Sequence, residues 1–333
     1  MTVMIGGKTT QSRRIERYKP KRRILKRHLN PQKSDVYYQF KLSLINSRKE
    51  ICIPLAFHKR TMTLKDLIPS ARQICEATIK AISETYHQAG QPIACETCKT
   101  ATCCRYLIGL SIPEAIYLVD TLMQQMSLES DACIAQCRQR ATFLDQAIKS
   151  LNDSTPPLQQ NIQHLSRKLQ IWHAKNNLKC PFLKQKRCTI YQERPLVCRQ
   201  WLITPNHEFC LATGVPAKCH IPLPVNLTDV LVETTRHFFG LSEIILLPTI
   251  FDWYDRNYLK VMQSFSSLDL IHCFLISLKT CLERDENSLT RLNIYEMKRG
   301  KSQVINIPLI DRNYQNPTGP VPLAKQGSKV SLL

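Results

Sequence analysis

Glycine is scarce in this chain, 9 of 333 residues. That argues against glycine-rich phosphate cradles and propeller-type β repeats. Long apolar runs are missing as well. None reaches the ~18 residues that span a bilayer, and the longest candidate, residues 244–251, is short and contains Pro248. No secretory leader stands out, because Met1 is followed by polar and basic residues without an apolar stretch. Acidic residues are few, 26 against 46 Lys and Arg, giving a formal net charge of +20. No long-period repeat is present, which argues against a solenoid. Nucleophile elbows, phosphate loops, His-Glu-x-x-His and Gly-x-Gly-x-x-Gly are all absent. So is the Cys-x3-Cys-x2-Cys run of radical S-adenosylmethionine enzymes. The nine histidines are scattered, and none makes a zinc-finger pair with the cysteines. The expectation is a soluble, cytoplasmic chain with reduced cysteines and no membrane partner.

What is present is core material and sulfur. The chain is 43% apolar and long enough for a large domain or two. Residues 1–34 hold eleven Lys and Arg against one acid, Glu16. We read them as a flexible basic arm, and residues 8–33 as a contact for a polyanion or nucleic acid. The β-branched and aromatic residues in 35–60 allow a short strand pair. Helical spacing then runs over 64–89 and stops at Gly90 and Pro92. Ser111, Pro113 and Glu114 form the start signal of a helix reaching about 126. Further helices are predicted near 130–150, 157–175, 227–239, 242–260 and 267–284. The predicted fold class is mostly α: an irregular helical domain, 35–298, with a loop-borne cysteine cluster. An extended tail, 299–333, follows.

Nine of the fifteen cysteines fall in two short segments, 95–104 and 180–219. The first reads Cys95-x2-Cys98-x4-Cys103-Cys104-Arg105. The second carries Cys180-Pro-Phe-Leu, then Cys188-Thr-Ile-Tyr191-x2-Arg194-Pro195-x2-Cys198-Arg199, then Cys210 and Cys219. Cys-x-x-Cys lets two thiolates converge on one ion from a tight turn. Zinc takes four such sulfurs in a closed tetrahedron, and iron–sulfur clusters use the same soft ligands. Neighbouring side chains tend to diverge, so adjacent Cys103 and Cys104 are expected to suit two ions or two corners of a polynuclear site. Cys95, Cys98, Cys103, Cys104, Cys180, Cys188, Cys198 and Cys210 are the candidate metal ligands. They match two four-ligand centres or one larger cluster. Cys52, Cys75, Cys273 and Cys281 lie in apolar surroundings and are expected in the core. Cys133 and Cys137, at i and i+4 on a predicted helix, fit packing better than ligation. Cys219-His220 is a peripheral candidate pair. Arg105, Arg194 and Arg199 either offset thiolate charge or make surface ion pairs. Tyr191 and Trp201 are expected to pack over the site.

This composite pattern resembles the YkgJ-type cysteine-cluster family, the zinc- or iron-chelating domain known by its CxxCxxCC motif. The resemblance covers residues 95–215. It rests on Cys95, Cys98, Cys103 and Cys104, on Cys180, Pro181 and Leu183, and on Cys188, Ile190, Tyr191, Arg194, Pro195, Cys198 and Arg199. Cys210 matches a further downstream cysteine. One departure is the four residues between Cys98 and Cys103, where the family usually has two or three and often a glycine. The resemblance implies a cofactor of zinc or iron, the latter including an iron–sulfur cluster. Flagellin lysine N-methylases carry a related domain, so it also implies a lysine N-methyltransferase-like enzyme as an alternative. No independent methyl-donor motif accompanies it. The catalytic residues are therefore unassigned.

Overall fold

A computed structural model describes residues 38–46, 49–57, 61–96, 101–125, 128–153, 162–204, 219–221, 223–240, 242–283, 290–298 and 301–304. All lie in the unit Val36–Leu333. The basic arm, Cys98, Cys210 and the tail beyond Val304 fall outside the described residues.

The described part is mostly helical, with one four-stranded sheet. Strands β1 (Tyr38–Asn46) and β2 (Lys49–Phe57) pair antiparallel, with Leu42 opposite Ile53. In β2 the apolar residues alternate. Ile53, Leu55 and Phe57 are buried while Glu50, Cys52, Pro54 and Ala56 face outward. This corrects the core placement of Cys52: a period of two puts it on the exposed side. Pro54 is tolerated because β2 is an edge strand. Its carbonyl points away from β1 and accepts from Gln73 Nε2 at 2.7 Å.

A short strand β3 (Thr61–Met62) and a 3-10 turn, Leu64–Leu67, lead into α1 (Ile68–Gln88). The apolar stripe of α1 buries Ala71, Ile74 and Cys75. It ends at Gly90, whose φ of 69° only glycine adopts freely. Strand β4 (Gly109–Leu110) precedes α2 (Ile112–Gln125), which is buried along most of its length. The start signal read from the sequence is realised through Glu114, whose carboxylate reaches back to Ser111. Ser111 N–H and Oγ donate to Glu114 Oε2 at 3.1 and 2.8 Å. Two long helices follow, α3 (Leu128–Asp153) and α4 (Ile162–Lys175). A tight hairpin β5 (Leu183–Lys184) and β6 (Arg187–Cys188) and the single-turn helix α5 (Leu196–Gln200) come next. Helix α6 (Leu227–Phe239) is capped by Asn226 at one end and left-handed Gly240 at the other.

The single helix expected over 242–260 is broken. Strand β7 (Ile245–Leu246) pairs with β4, Pro248 sits in a 3-10 turn, and helices α7 (Ile250–Arg256) and α8 (Tyr258–Val261) follow. Proline disfavours helical conformation in the residue before it and has no N–H to donate. The Asn257 side chain takes the Trp253 carbonyl at 2.9 Å and ends α7. Gly109 lets β4 and β7 approach closely: a Cβ there would lie 2.3 Å from Ile244 Cγ2, so the exposed Ile244 side chain would have to move.

Strand β8 (Phe265–Ser266) pairs with β3 and leads into α9 (Ser267–Glu283). Strands β9 (Thr290–Lys298) and β10 (Lys301–Val304) then complete the sheet in the order β10-β9-β1-β2. The segment expected as a tail from 299 thus begins inside a sheet.

One large core joins α1, α2, α6, α7 and α9 to the inner face of β2. Trp253, Phe182, Phe251 and Phe274 are its largest enclosed side chains. At its edge Tyr254 donates to Asp120 Oδ1 at 2.6 Å, and Lys65 pairs with the other Asp120 oxygen. Tyr254→Phe should cost ~1.5–3 kcal/mol, the range for a hydrogen bond to a charged group. The urea midpoint measures it, and an unchanged midpoint would show that the hydroxyl contributes nothing. No helix among the described residues is long and apolar enough to cross a membrane.

Candidate metal centre

The two cysteine segments meet. Cys180 N–H donates to the Cys104 carbonyl at 2.6 Å, and Ala94 N–H to the Ile203 carbonyl at 2.9 Å. Cys103 and Cys104 sit on a 3-10 turn, Thr102–Arg105. It is entered through Ala101 in the left-handed region, φ 47°. An alanine there costs ~1–2 kcal/mol, which glycine would not. The turn therefore holds a conformation that the surrounding contacts must enforce.

The second segment is pinned from below. Phe182, next to Pro181, is fully enclosed in the core. Its carbonyl accepts from Thr189 N–H at 2.8 Å and Thr189 Oγ1 at 3.1 Å. Gln185 and Lys186 both take positive φ between β5 and β6, as a two-residue hairpin turn of the primed type requires. That closes the hairpin so that Leu183 lies opposite Cys188. Pro195 caps α5 and fixes the entry to Cys198. The first N–H of α5, that of Leu196, donates to Glu114 Oε1 at 2.8 Å. The carboxylate that caps α2 therefore also holds the helix that carries Cys198. Buried to 3% exposure, Glu114 has its carboxyl pushed above the ordinary value by burial, against the donors that favour its charged form.

Five candidate sulfurs form one electrostatic neighbourhood. The Cys104 thiol is hydrogen-bonded to Cys103, which favours its charged form. Its bond with Cys180, burial, and the nearby Cys180 and Cys188 outweigh that and push it up to about 12. Burial raises Cys198, and Cys103, Cys104 and Cys188 add to the shift while Arg194 opposes it. Burial also raises Cys188, with Cys103 and Cys133 contributing and the Ile190 N–H and Arg194 opposing. Cys95 packs elsewhere on the same loops, beside Ile203, Cys219 and Trp201, and its thiol donates to the Trp201 carbonyl at 3.2 Å.

The cationic side chains divide. Arg199 is a brace: it pairs with Glu76 at 2.9 Å and donates to the carbonyls of Arg194 and Gln192. Arg194 lies 3.9 Å above the Tyr191 ring, and its Nε is buried without a partner among the described residues. Tyr191 itself is 55% exposed, so it does not cover the site as expected. Trp201 is half-buried between Tyr106 and His220. The sequence reading missed Arg140 of α3, whose charge faces Cys180 and Cys137 and whose Nη1 is buried without a partner among the described residues. Cys133, expected to pack, is half-buried beside Thr189. Cys75 and Cys137 are buried, with thiols pushed up to about 12 by burial. Cys273 and Cys281 are half-buried.

The candidate donors are all sulfur, the ligand type that zinc and iron–sulfur centres take. As neutral thiols these sulfurs leave two buried guanidinium N–H groups without an acceptor. As metal-bound thiolates they would supply negative charge beside both. Among the described residues, no three His, Cys, Asp or Glu side chains stand grouped as a preformed metal site. Comparison with protein-family models, curated proteins and solved structures finds no match to this chain.

Proposed function

We propose that this protein is a metal-binding cysteine-cluster protein, holding zinc or iron, including an iron–sulfur cluster. The proposed ligands are Cys95, Cys98, Cys103, Cys104, Cys180, Cys188, Cys198 and Cys210, and the proposed kinship is with the YkgJ-type family. The observation that carries this reading is the Cys104–Cys180 backbone hydrogen bond. It brings together two segments 76 positions apart, around which Cys103, Cys188 and Cys198 also gather. A bound ion would add a strong cross-link to loops already held together by backbone hydrogen bonds.

The chain's own residues prepare that task. Phe182 anchors the Cys180 turn in the core, the β5–β6 hairpin fixes Cys188, and Glu114 holds the first turn of the Cys198 helix. Arg140 and Arg194 lie ready to balance sulfur charge. The test is anaerobic purification followed by elemental analysis and an absorption spectrum. Zinc gives a colourless protein, and an iron–sulfur cluster a brown one with visible absorption. Protein carrying neither metal, and taking up neither when reduced and supplied with each, would overturn the reading.

A further inference from the structure

We propose that the β5–β6 hairpin and the exposed Tyr191 that follows it form a docking surface for single-stranded nucleic acid. Lys186 and Arg187 would meet phosphates, and the Tyr191 ring would stack on a base. This surface needs no bound metal.

From Leu178 to Gln192 the chain carries Lys179, Lys184, Lys186 and Arg187 and no acid. All four cations are exposed. The Cys104–Cys180 backbone hydrogen bond brings exposed Arg105 close to Lys179, since each adjoins one end of it. The next acid along the chain, Glu193, is already paired with Arg72 at 2.6 Å. A patch of one sign on a chain of net charge +20 draws phosphate. The hairpin that presents it is rigid. Phe182 is fully enclosed in the core, and Gln185 and Lys186 make the turn with φ of 49° and 61°. Glycine or asparagine takes such angles at least cost. A lysine held there is local strain of the kind that gathers at functional sites. Tyr191 lies four residues beyond Arg187, so at most ~14 Å of chain separates them. It is 55% exposed. The Arg194 guanidinium backs one face of its ring, 3.9 Å from the centroid, and the exposure leaves the other face to solvent. Every base has a face that can stack there, and sequence-tolerant single-strand binders combine such rings with a basic track. Paired bases are stacked on one another, so the ring selects single strands. The hairpin tip, Gln185 and Lys186, offers no apolar side chain to insert into a lipid surface.

The experiment is fluorescence anisotropy on the full chain with labelled oligo-uridine and oligo-thymidine strands of about 20 nucleotides, titrated at several salt concentrations. The basic residues 1–34 attract phosphate in every variant, so each readout is a difference from wild type. Tyr191→Ala should weaken binding ~10-fold or more with an unchanged salt slope, and Tyr191→Trp should restore it. Lys186→Gln combined with Arg187→Gln should lower the salt slope by about 1.4, two phosphates at ~0.7 each for a single strand. Removing the same charge at exposed Lys80 and Arg256 should leave the slope as it is. Lys186→Gly should bind more weakly and melt at a higher temperature, because the glycine relieves the turn. Photocrosslinking of the wild type to a strand containing 4-thiouridine should map to the peptide that holds Tyr191, a readout no variant's folding disturbs. Wild-type affinity in Tyr191→Ala together with no crosslink to that peptide would overturn the assignment. So would equal slopes for the two double charge variants, or tighter binding to polyglutamate or to vesicles rich in phosphatidylserine than to either strand.

Discussion

On the proposed metal-binding reading, Cys198→Ser should lose most of the bound metal and lower the melting temperature on the order of 10 °C, while Cys273→Ser keeps the metal. Serine offers a hard, mostly protonated hydroxyl where a thiolate is needed. Cys198 sits on α5 with Cys103, Cys104 and Cys188 around it. Structural thiolate sites contribute on the order of 10 kcal/mol of apparent binding free energy in small zinc peptides. In this chain the large core of α1, α2, α6, α7 and α9 carries part of the stability independently. Partial rather than complete unfolding is therefore the expected result. Cys273 is half-buried on α9, and burial followed by the nearby Asp269 pushes its thiol up to about 11. A serine there costs ~1–3 kcal/mol through an imperfectly paired hydroxyl. Elemental analysis decides the matter: full occupancy in Cys198→Ser, or metal loss in Cys273→Ser, would show that the ligands are other sulfurs.

Glu114 should be the most sensitive residue outside the cysteines. Glu114→Ala removes the acceptor for the Ser111 and Leu196 N–H groups. Each unsatisfied buried donor costs ~1–3 kcal/mol, so a loss of about 3 kcal/mol is expected, with α5 loosened and metal affinity reduced. Glu114→Gln separates charge from shape. Burial holds the folded-state carboxyl above its ordinary value of 4.5, so the folded protein resists ionising it. The stability tied to this shift is fully present below the ordinary value and is lost as pH rises through the raised one. The advantage of wild type over Glu114→Gln in urea midpoint should therefore shrink as pH rises above about 4.5. An advantage that grows over that range would mean that the three donors outweigh burial and hold the carboxyl below its ordinary value.

Helices were legible wherever the pattern was local. The stripe of α1, the Ser111–Glu114 start of α2 and the bounds of α6 follow from spacing and caps alone. Pro248 was visible too, yet the apolar residues around it also fit a helix, and only the pairing of β7 with β4 decides between them. Strands β9 and β10 were missed. Leu292 and Ile294 alternate, but the evidence that they form a strand is β1, nearly 250 residues earlier. The crowding of cysteines into two segments was plain from composition, whereas the roles of their neighbours were not. Tyr191 reads as a cover and is exposed. Arg199 reads equally as charge compensation or as a surface ion pair, and only the folded chain shows which: a brace to Glu76. Arg140 carries no local signal, because what makes it notable is the Cys180 loop that α3 meets only in the folded chain.

The pairing of β1 with β9 also sets an order of events during synthesis. β1 leaves the ribosome early, and its neighbour β2 can zip to it at once. Its other edge has no partner until residue 298 has been made. By then both cysteine segments have long been translated. At ~5–20 residues per second, the stretch between Cys219 and Lys298 occupies roughly 4–16 s. Through that interval both cysteine segments are already translated while one edge of β1 is open. An unpaired edge is a template for the wrong strand, so a nascent chain stalled before β9 is the species most exposed to aggregation.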